Sequence, residues 1–221
     1  MIPKTMYFYW GNDRLSWLRY MSIYSFRKLN PDWKVYLYYS RPFYKREKTW
    51  SSIVEQDFFN YTNKKNYLNE VSKLDVRVIQ WDLQNPAKPS DLEWNYIGPS
   101  HKSNFFKWQT LSVKGGFYSD FDILYIKPIN ELYDKVKSYN TGICYTTIFS
   151  IGFLASSPAN QLYYNLFKEA FKRYTSTSYQ CVGVENLYNF LIGEKMWDID
   201  GSVNWNYIHV TPLLKLLDEK F

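Results

Sequence analysis

The sequence predicts an α/β layered domain built on a mainly parallel sheet, and three observations predict it. Strand-type and helix-type segments alternate along the chain. Glycine or proline breaks separate them. The opening segments form a β-α-β unit, which joins two parallel strands through a right-handed crossover. At 221 residues the chain suits one compact domain or one with a modest insertion.

Thr5 to Trp10 are β-formers halted by Gly11-Asn12-Asp13, a turn signal. From Arg14 to Leu29, Leu15, Leu18, Ser22, Phe26 and Leu29 recur at spacings of three and four, one face of a helix. Asn30-Pro31-Asp32 ends it, because proline pushes its predecessor out of helical geometry. Trp33 to Tyr39 reads as the second strand. Residues 42–75 read as helix in pieces, Val76 to Trp81 as a short strand, and Asn85 to Pro99 as an irregular loop. Ser100 to Lys114 is helix-like, with Phe105, Trp108 and Leu111 on one face, and Gly115-Gly116 stops it.

Phe117 to Lys127 is strand-like, interrupted only by two aspartates. Beyond it come a helix at Glu131 to Ser138 and strands near Gly142 to Tyr145 and Ile151 to Ala155. Helices at Ala159 to Tyr174, Gly183 to Ile192 and Pro212 to Lys220 complete the chain. There is no internal repeat and no low-complexity linker, so residues 1–221 read as a single domain.

Composition narrows the function classes. The chain is 21% aromatic, more than a domain this size can hide fully, so some rings should line grooves of the kind that bind sugars or bases. Compositional drift that enriches Tyr, Phe, Asn, Lys and Ile together would give the same figure. The net charge of +6 suits a phosphate-bearing ligand and leaves open a peripheral contact with an anionic membrane surface. The basic residues are dispersed, densest at Arg41 to Lys48, which argues against nucleic acid as the partner. Two cysteines, Cys144 and Cys181, make neither a disulfide scaffold nor a zinc pattern. The amino terminus runs directly into an apolar strand with no signal-like leader, and no stretch approaches the ~20 apolar residues of a transmembrane span. A cytoplasmic protein, of cellular or viral encoding, is the default expectation.

The chemistry concentrates at Asp120-Phe121-Asp122. In extended geometry residues i and i+2 point the same way, so both carboxylates should face one side and Phe121 the other. Two carboxylates at the carboxyl edge of a parallel sheet suit Mn²⁺ or Mg²⁺, which complete their shell with water and substrate phosphates. A metal there stabilises a leaving diphosphate as a Lewis acid. Burying two acids in an apolar strand would otherwise cost several kcal/mol. A second copy, Asp198-Ile199-Asp200, lies before Gly201 and reads as a solvated turn. There is no phosphate loop, dinucleotide fingerprint or H-E-x-x-H motif, and two histidines leave little room for a Ser-His-Asp hydrolase.

Around this motif, Ser103-Asn104-Phe105-Phe106-Lys107-Trp108 and Gly115-Gly116-Phe117-Tyr118-Ser119-Asp120-Phe121-Asp122 resemble the D-x-D sugar-binding region of glycosyltransferase family 32-like enzymes. Ile2-Pro3-Lys4, Tyr7-Phe8-Tyr9-Trp10-Gly11 and Asn30-Pro31-Asp32-Trp33-Lys34-Val35 look like that family's first strand, turn and second strand. The resemblance covers residues 1 to about 127 and thins beyond. It implies a GT-A fold, a Rossmann-like mainly parallel sheet flanked by helices. Residues 1–127 would form the nucleotide-sugar-binding half and residues 128–221 the acceptor-side half. It further implies Trp10 stacking on the base, Asp120 near the ribose and metal, Asp122 as the firmer metal ligand and Tyr118 close to the donor. For Trp10, a core position at a strand end is the competing reading. Relatives usually carry Asp and Arg on the helix before the double glycine, where this chain has Asn104 and Lys107. Asn can bond a sugar hydroxyl without charge, and Lys meets phosphate as a point charge.

The remaining candidates are weaker. An inverting enzyme needs a base, and Glu185 at the start of a helix is placed for that role or is an ordinary first-turn acid. A retaining enzyme needs none, and the family leans that way. His209 could supply a third metal ligand, while Trp197 and Trp205 could stack on a sugar ring or pack in the core. The expectation is therefore a metal-dependent glycosyltransferase moving a hexose from a UDP- or GDP-sugar to a glycan or other hydroxyl acceptor. The alternative is a lectin-like carbohydrate-binding domain, which would ignore the nucleotide.

Overall fold

The computed structural model describes residues 1–11, 14–40, 65–81, 97–145 and 149–192. The six strands are β1 Thr5–Trp10, β2 Lys34–Tyr39, β3 Arg77–Gln80, β4 Gly116–Ser119, β5 Thr141–Tyr145 and β6 Phe149–Ser156. The helices are α1 Trp17–Leu29, α2 Leu68–Val71, α3 Pro99–Lys114, α4 Asn130–Val136, α5 Gln161–Arg173 and α6 Val184–Ile192. Expectations about Arg41 to Lys48, Asp198 to Asp200, Trp197, Trp205, His209 and the helix at Pro212 to Lys220 lie outside the described residues.

The strands form one sheet in the order β3-β2-β1-β4-β6-β5. Strands β3, β2, β1 and β4 are mutually parallel, whereas β6 runs antiparallel to both β4 and β5. The opening β1-α1-β2 unit is the predicted parallel pair, in register from Thr5 opposite Lys34 to Trp10 opposite Tyr39. All six residues of β1 are buried, as a central strand covered on both faces requires. Tyr7 and Tyr9 enter one core with Phe105, Phe106, Trp108 and Leu111 of α3. Met6, Phe8 and Trp10 enter the other with Ile23 and Phe26 of α1.

Local chemistry sets the helix ends. Ser16 caps α1 through its hydroxyl, which accepts from the Arg19 N–H at 3.4 Å. Asn30 closes the same helix and returns a side-chain bond to the Phe26 carbonyl at 2.9 Å. Gly115 and Gly116 end α3 and start β4 with φ of 63° and 98°, a region L side chains rarely adopt. A side chain on Gly116 would also press on the Thr5 carbonyl at 2.9 Å. The pair therefore turns the chain sharply and seats β4 flush against β1.

The long strand expected over Phe117 to Lys127 is shorter. Extended structure stops at Ser119, and the chain turns at Phe121 and Asp122. The reason is visible in α1, where the Ser22 hydroxyl lies 3.0 Å from the Phe121 carbonyl and 2.5 Å from that of Ile123. These side-chain bonds replace a sheet ladder. Tyr125 is likewise held, its N–H donating to the Ser25 hydroxyl at 3.1 Å.

The sheet order carries a functional consequence. The connections from β1 to β2 and β2 to β3 use α1 and α2 on one face, whereas α3 leads from β3 to β4 across the other. The order reverses between β1 and β4, a topological switch point. In open α/β sheets the crevice beyond the strand carboxyl ends at such a point is where ligands bind.

Candidate functional site

A cleft of about 640 Å³ opens at that switch point. Its floor is the end of β1, Trp10 and Gly11, beside Asp120 and Asp122 at the end of β4. One wall is the first half of α3, with Ser103, Asn104 and Lys107, and the other is the start of β6, with Ile151 and Gly152. Two glycines make the close approaches. Gly11 leaves no room for a side chain, since a Cβ would lie 2.8 Å from that of Pro99. Gly183 abuts the Asn104 amide, which a Cβ would meet at 2.7 Å.

Asp120 leaves the sheet with its N–H bonded to the Gly152 carbonyl at 2.7 Å. Its Oδ1 accepts from the Tyr118 hydroxyl at 2.7 Å and lies 3.5 Å from the Lys107 ammonium. Its Oδ2 faces Gly152, where a Cβ would come within 3.3 Å. Among the described residues Oδ2 accepts no hydrogen bond, and the exposed Asp122 carboxylate has no partner at all. The extended-strand argument for two carboxylates on one side does not hold in detail, because Asp122 lies in the turn. Both nevertheless line the cleft, while Phe121 anchors the turn by packing on Phe8 and Trp10.

Lys107 is buried, with its ammonium donating to the Ile151 carbonyl at 3.1 Å and lying 4.6 Å above the Tyr118 ring. Burial pushes its pKa down, opposed by the nearby charge of Asp120 and, more weakly, Asp122. Burial, reinforced by Asp120, pushes the Tyr118 phenol well above its ordinary value, so it remains a hydrogen-bond donor at neutral pH. Ser103 completes the chain, its hydroxyl 2.8 Å from that of Tyr118. Tyr118 thus lies beneath Asp120 rather than in the cleft wall.

The other predicted residues divide. Trp10 belongs to the core and also reaches the cleft: its indole N–H donates to the Arg14 carbonyl at 2.7 Å, and its ring meets Phe121 edge-on. Asn104 and Lys107 are in the wall. Glu185 stands in the first turn of α6 as expected, but there it takes a long contact of 3.5 Å from the Ser178 hydroxyl. Its neighbour Val184 lines the cleft and Glu185 does not. His101 is structural, with Nε2 2.9 Å from the Ser178 carbonyl. Most of the described aromatics fill the two cores, and a few, including Phe149, Phe153 and Tyr179, line the cleft.

Sequence reasoning missed Ser103 as a partner of Tyr118, although it lies one helical turn before Lys107. It missed Gly152 and Arg19 altogether; no local signal marks Gly152, because its role arises from an antiparallel pairing distant in sequence.

A six-stranded, mostly parallel sheet with helices on both faces and a D-x-D pair at its carboxyl edge defines the GT-A class of glycosyltransferases. The chain belongs to the family described as glycosyltransferase sugar-binding region containing DXD motif, whose pattern matches residues 19–139. No curated protein matches the sequence. Among solved structures, the chain is similar to PaToxG glycosyltransferase at 17% identity and a TM-score of 0.51, covering 87% of this chain and 70% of that one. It is also similar to galactosyltransferase LgtC in complex with donor and acceptor sugar analogues, at 14% identity and a TM-score of 0.44, over 83% and 70% of the two chains. A third is the UDP-bound glycosyltransferase domain of the YGT toxin, at 11% identity and 0.38, over 78% and 62%. At these identities the likeness concerns fold alone, and of these three it is carried by PaToxG, whose TM-score is 0.51. No helix among the described residues is long and apolar enough to cross a membrane.

Proposed function

We propose that the protein transfers a hexose from a UDP- or GDP-sugar to a hydroxyl acceptor such as a glycan, using Mn²⁺ or Mg²⁺. The observation that carries this reading is the state of the two aspartates. Asp120 has one oxygen fixed by Tyr118 and Lys107 and one left open, and Asp122 stands exposed on the same cleft. A hard divalent cation needs only one or two protein carboxylates when phosphate and water fill the rest of its shell. The donor set therefore fits the metal. Bound there, the ion would supply Lewis-acid stabilisation of the diphosphate as the sugar-phosphate bond breaks.

The chain's own residues do the remaining work. Tyr118 and Lys107 hold Asp120 in one rotamer, so the carboxylate is organised before the donor binds. Asn104 offers an uncharged amide to a sugar hydroxyl, and the small part of Trp10 that reaches the cleft offers apolar contact to the base. Residues 1–127 form the donor half, and the later strands and helices the acceptor half. Glu185 is turned to Ser178 outside the cleft wall, which supports a retaining course over one that uses it as base. His209 remains the candidate third metal ligand.

Turnover of UDP- and GDP-sugars by the wild type and by Asp122→Ala, each with Mn²⁺, tests the reading. Donor hydrolysis or transfer by the wild type, lost in a cooperatively folded Asp122→Ala, supports it. Undiminished turnover in the variant excludes the metal role of Asp122. Sugar binding that ignores the nucleotide would instead make the protein a lectin.

A further inference from the structure

We infer that Gly183 is a positioning residue for the donor's sugar. By carrying no side chain it keeps the Asn104 amide turned to the cleft, and so sets how much the sugar adds to nucleotide binding. The inference rests on the donor-site reading above, in which Asn104 meets a sugar hydroxyl, and assigns the contact that aims it. His101, Asn104 and Trp108 lie three and four apart on α3 and share one face of that helix. The chain between α5 and α6 is tied to this face at its ends. Nε2 of His101 lies 2.9 Å from the Ser178 carbonyl, and the Trp108 indole N–H donates to the Val182 carbonyl at 2.8 Å. Asn104, between these two tethers, abuts Gly183 without bonding it.

The polarity of Asn104 has no use inside the protein. The residue is 7% exposed and lines the cleft, yet among the described residues its amide makes no hydrogen bond. A buried amide without a partner is destabilising, so its partner must come from the cleft. Gly183 stands behind it and is not itself part of the cleft lining. A Cβ on Gly183 would lie 2.7 Å from Nδ2 of Asn104 and 3.0 Å from Cδ1 of Ile151. Gly183 cannot retreat, because its N–H donates to the Gln180 carbonyl at 2.9 Å and its carbonyl accepts from the Leu187 N–H at 3.2 Å. The atoms in the way are the ends of side chains rather than backbone. A methyl group at this position therefore leaves the fold in place and displaces the amide.

The test is calorimetric titration, with Mn²⁺, of UDP and GDP beside UDP-glucose, UDP-N-acetylglucosamine and GDP-mannose. It uses wild type, Gly183→Ala, Asn104→Ala and the double variant. The nucleotide-sugar that wild type binds should weaken about fivefold or more in each single variant, while its nucleotide alone changes by less than about twofold. The double variant should lose no more than Asn104→Ala, because both changes act through one amide. Losses that add in the double variant would overturn the role of Gly183 and leave the donor site standing. So would equal weakening of the nucleotide and its sugar conjugate, or a Gly183→Ala protein that binds as wild type does. Loss of the wild-type unfolding transition in Gly183→Ala would overturn it too, since displacing one amide does not unfold the chain. Failure of the wild type to bind any of the five would overturn the donor-site reading, and this inference with it.

Discussion

The hydroxyl of Tyr118 donates to Oδ1 of Asp120 across 2.7 Å, within the same short stretch of chain. The two residues lie on either side of the point where β4 leaves the sheet. The bond fixes the carboxylate's rotation, so that Oδ1 looks into the protein and Oδ2 toward Gly152. Tyr118 is itself buried among rings and held from behind by Ser103, so it has no competing position to adopt.

Tyr118→Phe keeps the ring and removes only this donor. The bond exists before any ligand binds, so its loss should lower unfolding stability by at most about 1.5–3 kcal/mol, the apolar ring staying packed. Metal-dependent donor affinity and turnover should fall as well, because the carboxylate loses its fixed rotation. A large drop in melting temperature with unchanged donor binding would show Tyr118 to be purely structural.

Lys107 separates stability from function in the opposite way. Removing a buried ammonium relieves its desolvation, and Asp120 retains solvent contact and the Tyr118 bond. Lys107→Met should therefore keep or raise the melting temperature while weakening donor binding. Titration calorimetry beside differential scanning calorimetry reads both, and parallel loss of stability and binding would contradict the prediction.

Gly152→Ala places a methyl within 3.3 Å of Asp120 Oδ2, closer than nine in ten real contacts of a Cβ. The aspartate must shift by a few tenths of an ångström, which displaces its open oxygen. Mn²⁺-dependent donor binding should fall, while urea unfolding shifts by less than about 1 kcal/mol. Unaltered donor affinity would mean that the orientation of Oδ2 is immaterial.

Gly116→Ala tests the seat of β4. The alanine would need φ near 98° and a Cβ 2.9 Å from the Thr5 carbonyl. A forced backbone of this kind costs roughly 1–3 kcal/mol before the collision is counted. Urea unfolding should show a destabilisation at or above that range, and a neutral result would show that the strand shifts freely.

Much of the first part of the fold was legible in the sequence. Strand β1 and the β1-α1-β2 unit followed from β-former clusters and helical spacing, and Gly115-Gly116 announced the turn its dihedral angles require. The aspartate pair was found from its context of helix, double glycine and apolar strand. What could not be read was how distant segments meet. Nothing local tells that β6 runs antiparallel to β4 and brings Gly152 against Asp120, or that Ser22 of α1 ends the strand at Ser119 by bonding the turn. Glu185 looked apt because it opens a helix after Gly183, where inverting GT-A enzymes often keep a base, although first-turn acids are common there for the helix dipole alone. Its place relative to the cleft depends on how α6 packs through Leu187 and Tyr188, which spacing alone does not fix.

The most direct test of the donor site is calorimetric titration of the wild-type protein with UDP-, GDP- and dTDP-sugars, in Mn²⁺ and again in EDTA. Binding of one nucleotide-sugar with Mn²⁺, abolished by EDTA, is the expected result. No binding of any donor by a folded protein, or binding that EDTA leaves untouched, would contradict a metal-dependent nucleotide-sugar site at Asp120 and Asp122.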